Sequence, residues 1–81
     1  MAAVQGDPES QNNMGTMCES GRGTSMDVVK AFAWYEIASQ NGSKRGESNM
    51  RRLGGKLSAG ELQRAKKLSQ KCLATNYQNC E

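Results

Sequence analysis

The sequence predicts an all-α fold: an α/α superhelix, or solenoid, of two antiparallel helix hairpins with four helices in all. Three observations point to it. Apolar residues recur at three- and four-residue spacing in four segments. Breaks containing Gly, Ser and Asn separate those segments. Strand signals are weak, because Val28-Val29 is the only adjacent β-branched pair and no stretch alternates apolar and polar for long. With 81 residues the chain has room for a single domain, 1–81. Hydrophobic residues are 36% of it, and Phe32, Trp34 and Tyr35 fall together while the fourth aromatic, Tyr77, stands apart. A chain of this size buries only about 60% of its unfolded surface. The core must therefore be thin and built largely from Ala, Met and Leu.

The first helix is expected over about residues 8–19. Asp7 is placed to cap it, and Pro8 sits at its first position, where a missing N–H costs nothing. Ser10, Met14, Met17 and Cys18 mark its inner face. Gly21-Arg22-Gly23-Thr24 reads as a turn. The second helix is expected over 27–40, with Asp27 as N-cap and a stripe of Val28, Ala31, Tyr35 and Ala38 flanked by Phe32 and Trp34. Asn41-Gly42 closes it, since Gly takes positive φ there. The third, over 44–57, carries a seam of Gly46, Met50, Leu53 and Leu57. Its Gly54-Gly55 pair costs about 1 kcal/mol per residue relative to Ala. The fourth, over 59–75, begins with a capping box, Ser58 to Glu61, and presents Leu62, Ala65, Leu68 and Cys72 before Asn76 ends it.

The four segments are two copies of one unit. A shift of 36 residues puts Gly6 on Gly42, Ser10 on Gly46, Asn13-Met14 on Asn49-Met50 and Met17 on Leu53. A shift of 34 puts Asp27 on Glu61, Ala31 on Ala65, Trp34 on Leu68 and Ala38 on Cys72. A period in the mid-thirties made of two helices reads as a solenoid unit. Small residues (Ser10, Gly15, Ala31, Ala38) let backbones approach, and Trp34-Tyr35 is expected to cover the gap between one hairpin and the next. About three repeats are normally wanted for stability, so two leave room for a swapped or face-to-face homodimer.

The run Gly6-Asp7-Pro8-Glu9-Ser10-Gln11-Asn12-Asn13-Met14-Gly15, followed by Gly21-Arg22-Gly23, then Asp27, Lys30-Ala31, Trp34-Tyr35, Ala38 and Asn41-Gly42, resembles the Sel-one-like repeat, a relative of the tetratricopeptide repeat. The resemblance implies a complete repeat over 6–41, a degenerate second repeat over 42–75 that acts as a C-terminal cap, and a tail over 76–81. It makes Gly15, Gly21, Gly23, Asp27, Ala31, Trp34, Tyr35, Ala38 and Gly42 the structural motif. The chain departs from the family pattern at Cys18, where Tyr is usual, and at Ser10 and Gly46, where Ala is usual. The family's members serve as adaptors, which implies a non-catalytic protein-interaction module with a protein partner. Its ligand surface is concave and lined mainly by the first helix of each pair. Asn12, Asn13, Thr16, Asn49 and Arg52 are the exposed contacts expected there, although Asn13 and Asn49 could instead fill hydrogen bonds between repeats. Cysteine-rich relatives bind or slowly hydrolyse β-lactams, which gives an enzymatic alternative.

The residues themselves offer little for catalysis. There is no His, so the commonest general base and metal ligand is missing. Among carboxylates, only Asp7, Glu9 and Glu36 fall near plausible grooves, while Asp7, Asp27 and Glu61 read as helix-start anions. Gly21-Arg22-Gly23 lacks the Gly-Lys-Ser/Thr of a phosphate loop. No catalytic residue, metal site or cofactor is expected. Cys18 reads as a small buried apolar residue. Cys18, Cys72 and Cys80 lack Cys-x-x-Cys spacing. In one continuous helix Cys72 and Cys80 would lie about 12 Å apart, beyond the ~7 Å a disulfide allows. A tail folding back after Asn76 would let them bridge, as spaced cysteines do in secreted members of the family. A bridge implies a periplasmic or secreted protein, and reduced cysteines a cytoplasmic one.

Charge divides along the chain. Residues 1–42 hold two basic against five acidic residues, a balance of −3, and residues 43–81 hold nine against three, a balance of +6. Arg45, Arg51, Arg52, Lys56, Arg64, Lys66, Lys67 and Lys71 could meet phosphate, which gives nucleic-acid contact as a further alternative. No aromatic residue interleaves with them, so nucleic acid is not the expected partner. No apolar run approaches the ~20 residues that span a bilayer. Residues 1–13 lack a basic start followed by an apolar stretch, so neither membrane nor signal peptide is expected.

Overall fold

The computed structural model describes residues 7–23 and 26–74. Four helices follow in order: α1 Pro8–Ser20, α2 Val28–Gln40, α3 Lys44–Gly54 and α4 Ala59–Ala74, with no strand among the described residues. α2 touches all three other helices, and α1 also packs on α3. The central place of α2 follows from its composition. Ala31, Phe32, Ala33, Trp34, Tyr35, Ile37 and Ala38 are all buried, so the helix is covered nearly all round. The core joins Cys18, Ala31, Phe32, Trp34, Tyr35, Ile37, Leu53, Ala65 and Cys72, with Met14, Val28, Val29, Met50, Leu57 and Leu62 at its margin.

The helix ends obey local chemistry, with corrections. Asp27 caps α2 as expected, its Oδ1 accepting from the Lys30 amide at 3.0 Å. The capping box of α4 closes in both directions, Ser58 N–H donating to Glu61 Oε1 at 2.9 Å and Glu61 N–H to Ser58 Oγ at 3.2 Å. Asp7 does not cap α1 through its side chain. Its Oδ2 accepts from the Ser10 hydroxyl at 2.7 Å, which competes for the carboxylate from the same turn. α3 has a cap at Ser43, whose Oγ accepts from the Gly46 amide at 2.9 Å. That helix stops at Gly54 rather than running to residue 57, because the glycine pair makes continuation costly. Leu57 leaves the helix but still packs on the core. Gly21, Gly23 and Gly42 all hold positive φ, at 75°, 74° and 102°, in the turns that end α1 and α2. The end expected for the fourth helix at Asn76, and the tail over 76–81, lie outside the described residues.

The inner face of α1 is rotated from the expected one. Gln11, Asn12, Gly15 and Cys18 are buried, whereas Met17 is 38% exposed and Ser10 and Met14 are half-buried. α2 and α3 both approach this helix, and they close on its smallest and most hydrogen-bonding residues. At Gly15 an added Cβ would stand 2.5 Å from two Tyr35 ring carbons. At Gly46 it would stand 2.8 Å from the Ala38 Cβ and 3.1 Å from both Ser39 N and Tyr35 O. Ala31 and Ala38 are fully buried at these approaches. Trp34 is buried as well, and its indole N–H has no acceptor among the described residues.

Gly46→Ala is expected to lower stability by about 1–3 kcal/mol, because two of the three crowding atoms are backbone and cannot swing aside. Gly60→Ala, on α4 with nothing within 4 Å of the new methyl, is expected to be neutral or stabilising. Urea denaturation midpoints of the two variants check the contrast. Equal midpoints would show that α2 and α3 are not held at glycine distance.

Candidate interaction face

α1 and α3 lie side by side and are joined by polar side chains. Asn49 Nδ2 donates to Asn12 Oδ1 at 2.9 Å, and Thr16 Oγ1 donates to the Asn12 carbonyl at 2.8 Å. Asn41 Nδ2 donates to the Oε1 of buried Gln11 at 2.8 Å, tying α1 to the end of α2. Ser43 donates a longer bond, 3.4 Å, to Glu9 Oε1. On the other side of the molecule, Ser69 on α4 donates to Glu36 on α2.

Glu19 gathers the strongest interactions. Arg52 reaches it with both terminal guanidinium nitrogens, at 2.8 Å from Nη1 to Oε2 and 2.7 Å from Nη2 to Oε1. The Tyr35 hydroxyl also donates to Oε1, at 2.7 Å. One carboxylate at the end of α1 therefore holds α2 and α3. The Arg52 hydrogen bonds, opposed by partial burial and helped by Tyr35, bring the Glu19 carboxyl down from 4.5 to about 2. Burial, and then the hydrogen bond to the Glu19 anion, push the Tyr35 phenol up from 10.0 to about 12.

The five expected contact residues divide. Asn13 and Thr16 are exposed. Asn12 is buried, not exposed, because its carboxamide is the acceptor for Asn49. Asn49 is half-buried and fills a hydrogen bond between the helices, whereas Asn13 takes no part in that bond. Arg52 is 44% exposed but is engaged with Glu19. Two features went unnoticed in the sequence. Glu19 carries no local pattern, since its partner Arg52 is 33 residues away. Ser48 lines, with Lys44, Arg45 and Asn49, a shallow depression of about 360 Å³.

The remaining expected groups lie elsewhere. Cys18 is free and buried, and burial raises its thiol above the usual 9.0, so it is a poor nucleophile. Cys72 is buried and disulfide-bonded. Cys80, the partner put forward for it, lies outside the described residues. Among the described residues no group of three or more His, Cys, Asp or Glu could hold a metal ion, and no helix is long and apolar enough to cross a membrane.

No known family model matches the chain. Among curated proteins, chitin synthase regulator SKT5 of Malassezia restricta is 37% identical to it over 54 residues. That match covers 67% of this chain but only 4% of the regulator's length.

The two displaced titrations set a pH window. Glu19 is more acidic folded than unfolded, so its contribution is complete above about pH 4.5 and is lost as pH falls towards 2. Tyr35 is less acidic folded than unfolded, so its contribution is complete below pH 10.0 and is lost as pH rises through about 12. Glu19→Gln is expected to cost about 1 kcal/mol at pH 7 and to flatten the acid limb of Tm against pH. Circular-dichroism melts between these limits check it, and an acid limb parallel to that of the parent chain would refute the assignment.

Proposed function

We propose that the chain is a non-catalytic protein-interaction module of the Sel-one-like repeat type, an adaptor whose units stack as an α-solenoid. On this reading residues 6–41 are the complete repeat and residues 42–75 close the stack. The observation that carries it is the double grip on α2. Gly15 of α1 closes on Tyr35 and Ala31, and Gly46 of α3 closes on Ala38 and the Tyr35 carbonyl. Stacking solenoid units need such close approach between successive hairpins as well as within each one. The sequence offsets of 36 and 34 residues support the same reading. The similar protein is a regulator of chitin synthase, which accords with a role exerted through another protein.

The partner meets the side formed by the first helices, α1 and α3. Asn13 and Thr16 are its exposed polar contacts, and Arg52 presents the outer part of a guanidinium already oriented by Glu19. The hydrogen bonds of Asn12 and Asn49 serve to fix the spacing of that surface. A second copy of the chain is the simplest protein that could occupy it.

The reading is tested by capturing partners under native conditions with the parent chain and with the double variant N13R/T16R. The parent is expected to retain a partner that the variant loses by about tenfold or more, as central interface contacts do. Sedimentation of the isolated chain reports whether that partner is another copy. Equal recovery with both proteins, or turnover of a chromogenic cephalosporin above buffer by the parent chain, would count against an interaction module acting through this face.

A further inference from the structure

The cations of α3 are unequally committed. Arg51 pairs with Glu47 at 2.6 Å, one turn away, and Arg52 is spent on Glu19. Lys44 and Arg45, at the other end of the same helix, are exposed, and their side chains have no ion pair or hydrogen bond among the described residues. These two line the shallow depression together with Ser48 and Asn49. Adjacent residues on a helix diverge by about 100°, so two such cations bracket a surface rather than converge on one point.

The lining selects its occupant. Two cations, a hydroxyl and a carboxamide offer charge-assisted and neutral hydrogen bonds to a carboxylate, above the methylene stems of the same side chains. All four residues lie on α3, so the depression is a surface for a passing chain rather than an enclosure for a small molecule. An extended segment advances about 3.3 Å per residue, so carboxylates two residues apart can serve both cations. The helix start adds little, because Ser43 Oγ already takes the Gly46 amide and Ser43 O the Glu47 amide. Recognition therefore falls to the side chains.

We propose that this depression seats an extended, acidic segment of the partner protein, rich in Asp or Glu. Its carboxylates pair with Lys44 and Arg45, and its main-chain groups meet Ser48 and the edge of Asn49. The proposal rests on the interaction-module reading and names the chemistry of the partner. Nucleic acid would use the same cations, but among the described residues no aromatic side chain lines the depression for base stacking. A phosphate track along α3 would also be interrupted where Arg51 and Arg52 are already neutralised.

The test is fluorescence anisotropy of the whole chain with three labelled probes: an Asp/Glu-rich decapeptide, its Asn/Gln counterpart, and a single-stranded oligonucleotide of equal charge. The acidic peptide is expected to bind at low salt, to weaken as salt rises, and to bind better than the other two. K44E/R45E is expected to lose about tenfold or more in affinity. K66E/K67E, a control on exposed positions of α4, is expected to change affinity by less than about threefold. Far-ultraviolet circular dichroism establishes that both variants keep the helices. Equal loss in the two variants, tighter binding of the oligonucleotide or of the neutral peptide, or no acidic-peptide binding at low salt would overturn the proposal. A partner captured equally by the parent and by K44E/R45E would also overturn it and leave the interaction module standing. Capture of no partner by the parent would overturn the module itself.

Discussion

A buried phenol must find room for its ring and a partner for its hydroxyl, and Tyr35 settles both at once. The ring occupies the space that Gly15 leaves on α1, and the hydroxyl ends on Glu19 of the same helix. Arg52 of α3 completes the carboxylate with two further bonds. Removal of the carboxylate would take the Glu19 acceptor from a buried hydroxyl and the anion from a guanidinium, so the three groups are coupled. Tyr35 also has a backbone role, for its carbonyl is one of the atoms against which Gly46 closes. α1, α2 and α3 are thus registered by one residue.

The thinness of the core makes this polar registration necessary. Leu53 is the only buried Leu among the residues whose side chains are described, and most of the rest of the core is Ala, Cys and the aromatics of α2. Such a core specifies the height of one helix against the next only weakly, because small side chains slide past each other at little cost. Gln11 and Asn12 are buried in α1 where an apolar stripe would ordinarily run. Their carboxamides accept from Asn41 and Asn49, and each bond is satisfied at a single register. The buried amides give positional specificity that the apolar contacts lack.

What the sequence disclosed and what it concealed divide along the range of the interaction. Helix existence, the Asp27 cap, the Ser58–Glu61 box and the positive-φ glycines were legible, because each depends on residues within about one turn. The early end of α3 was legible too, had the cost of Gly54-Gly55 been weighed above the spacing of Leu57. The face of α1 was concealed. Apolar counting follows Met14 and Met17, whereas the neighbouring helices choose Gly15 for its size and Gln11 and Asn12 for their hydrogen bonds. The 36-residue offset misled in a related way. It aligns Asn13 with Asn49 as equivalent positions, but matching places in the sequence do not make two residues partners. Asn49 meets Asn12 instead.

The same distinction changes the meaning of the charge asymmetry. A balance of −3 before residue 43 and +6 after it suggests two opposed fields that an outside partner could sense. Part of that opposition is consumed internally. Glu19, from the acidic half, is neutralised by Arg52, from the basic half, and the pair fastens α1 to α3. Arg51 is neutralised within its own helix by Glu47. A formal count overstates the field outside by including charges already spent on the fold. The charge that remains on α3 is concentrated at Lys44 and Arg45, at the end remote from the Glu19 bridge. The ion pair that registers the helices therefore also decides where along α3 the uncompensated charge is left to face solvent.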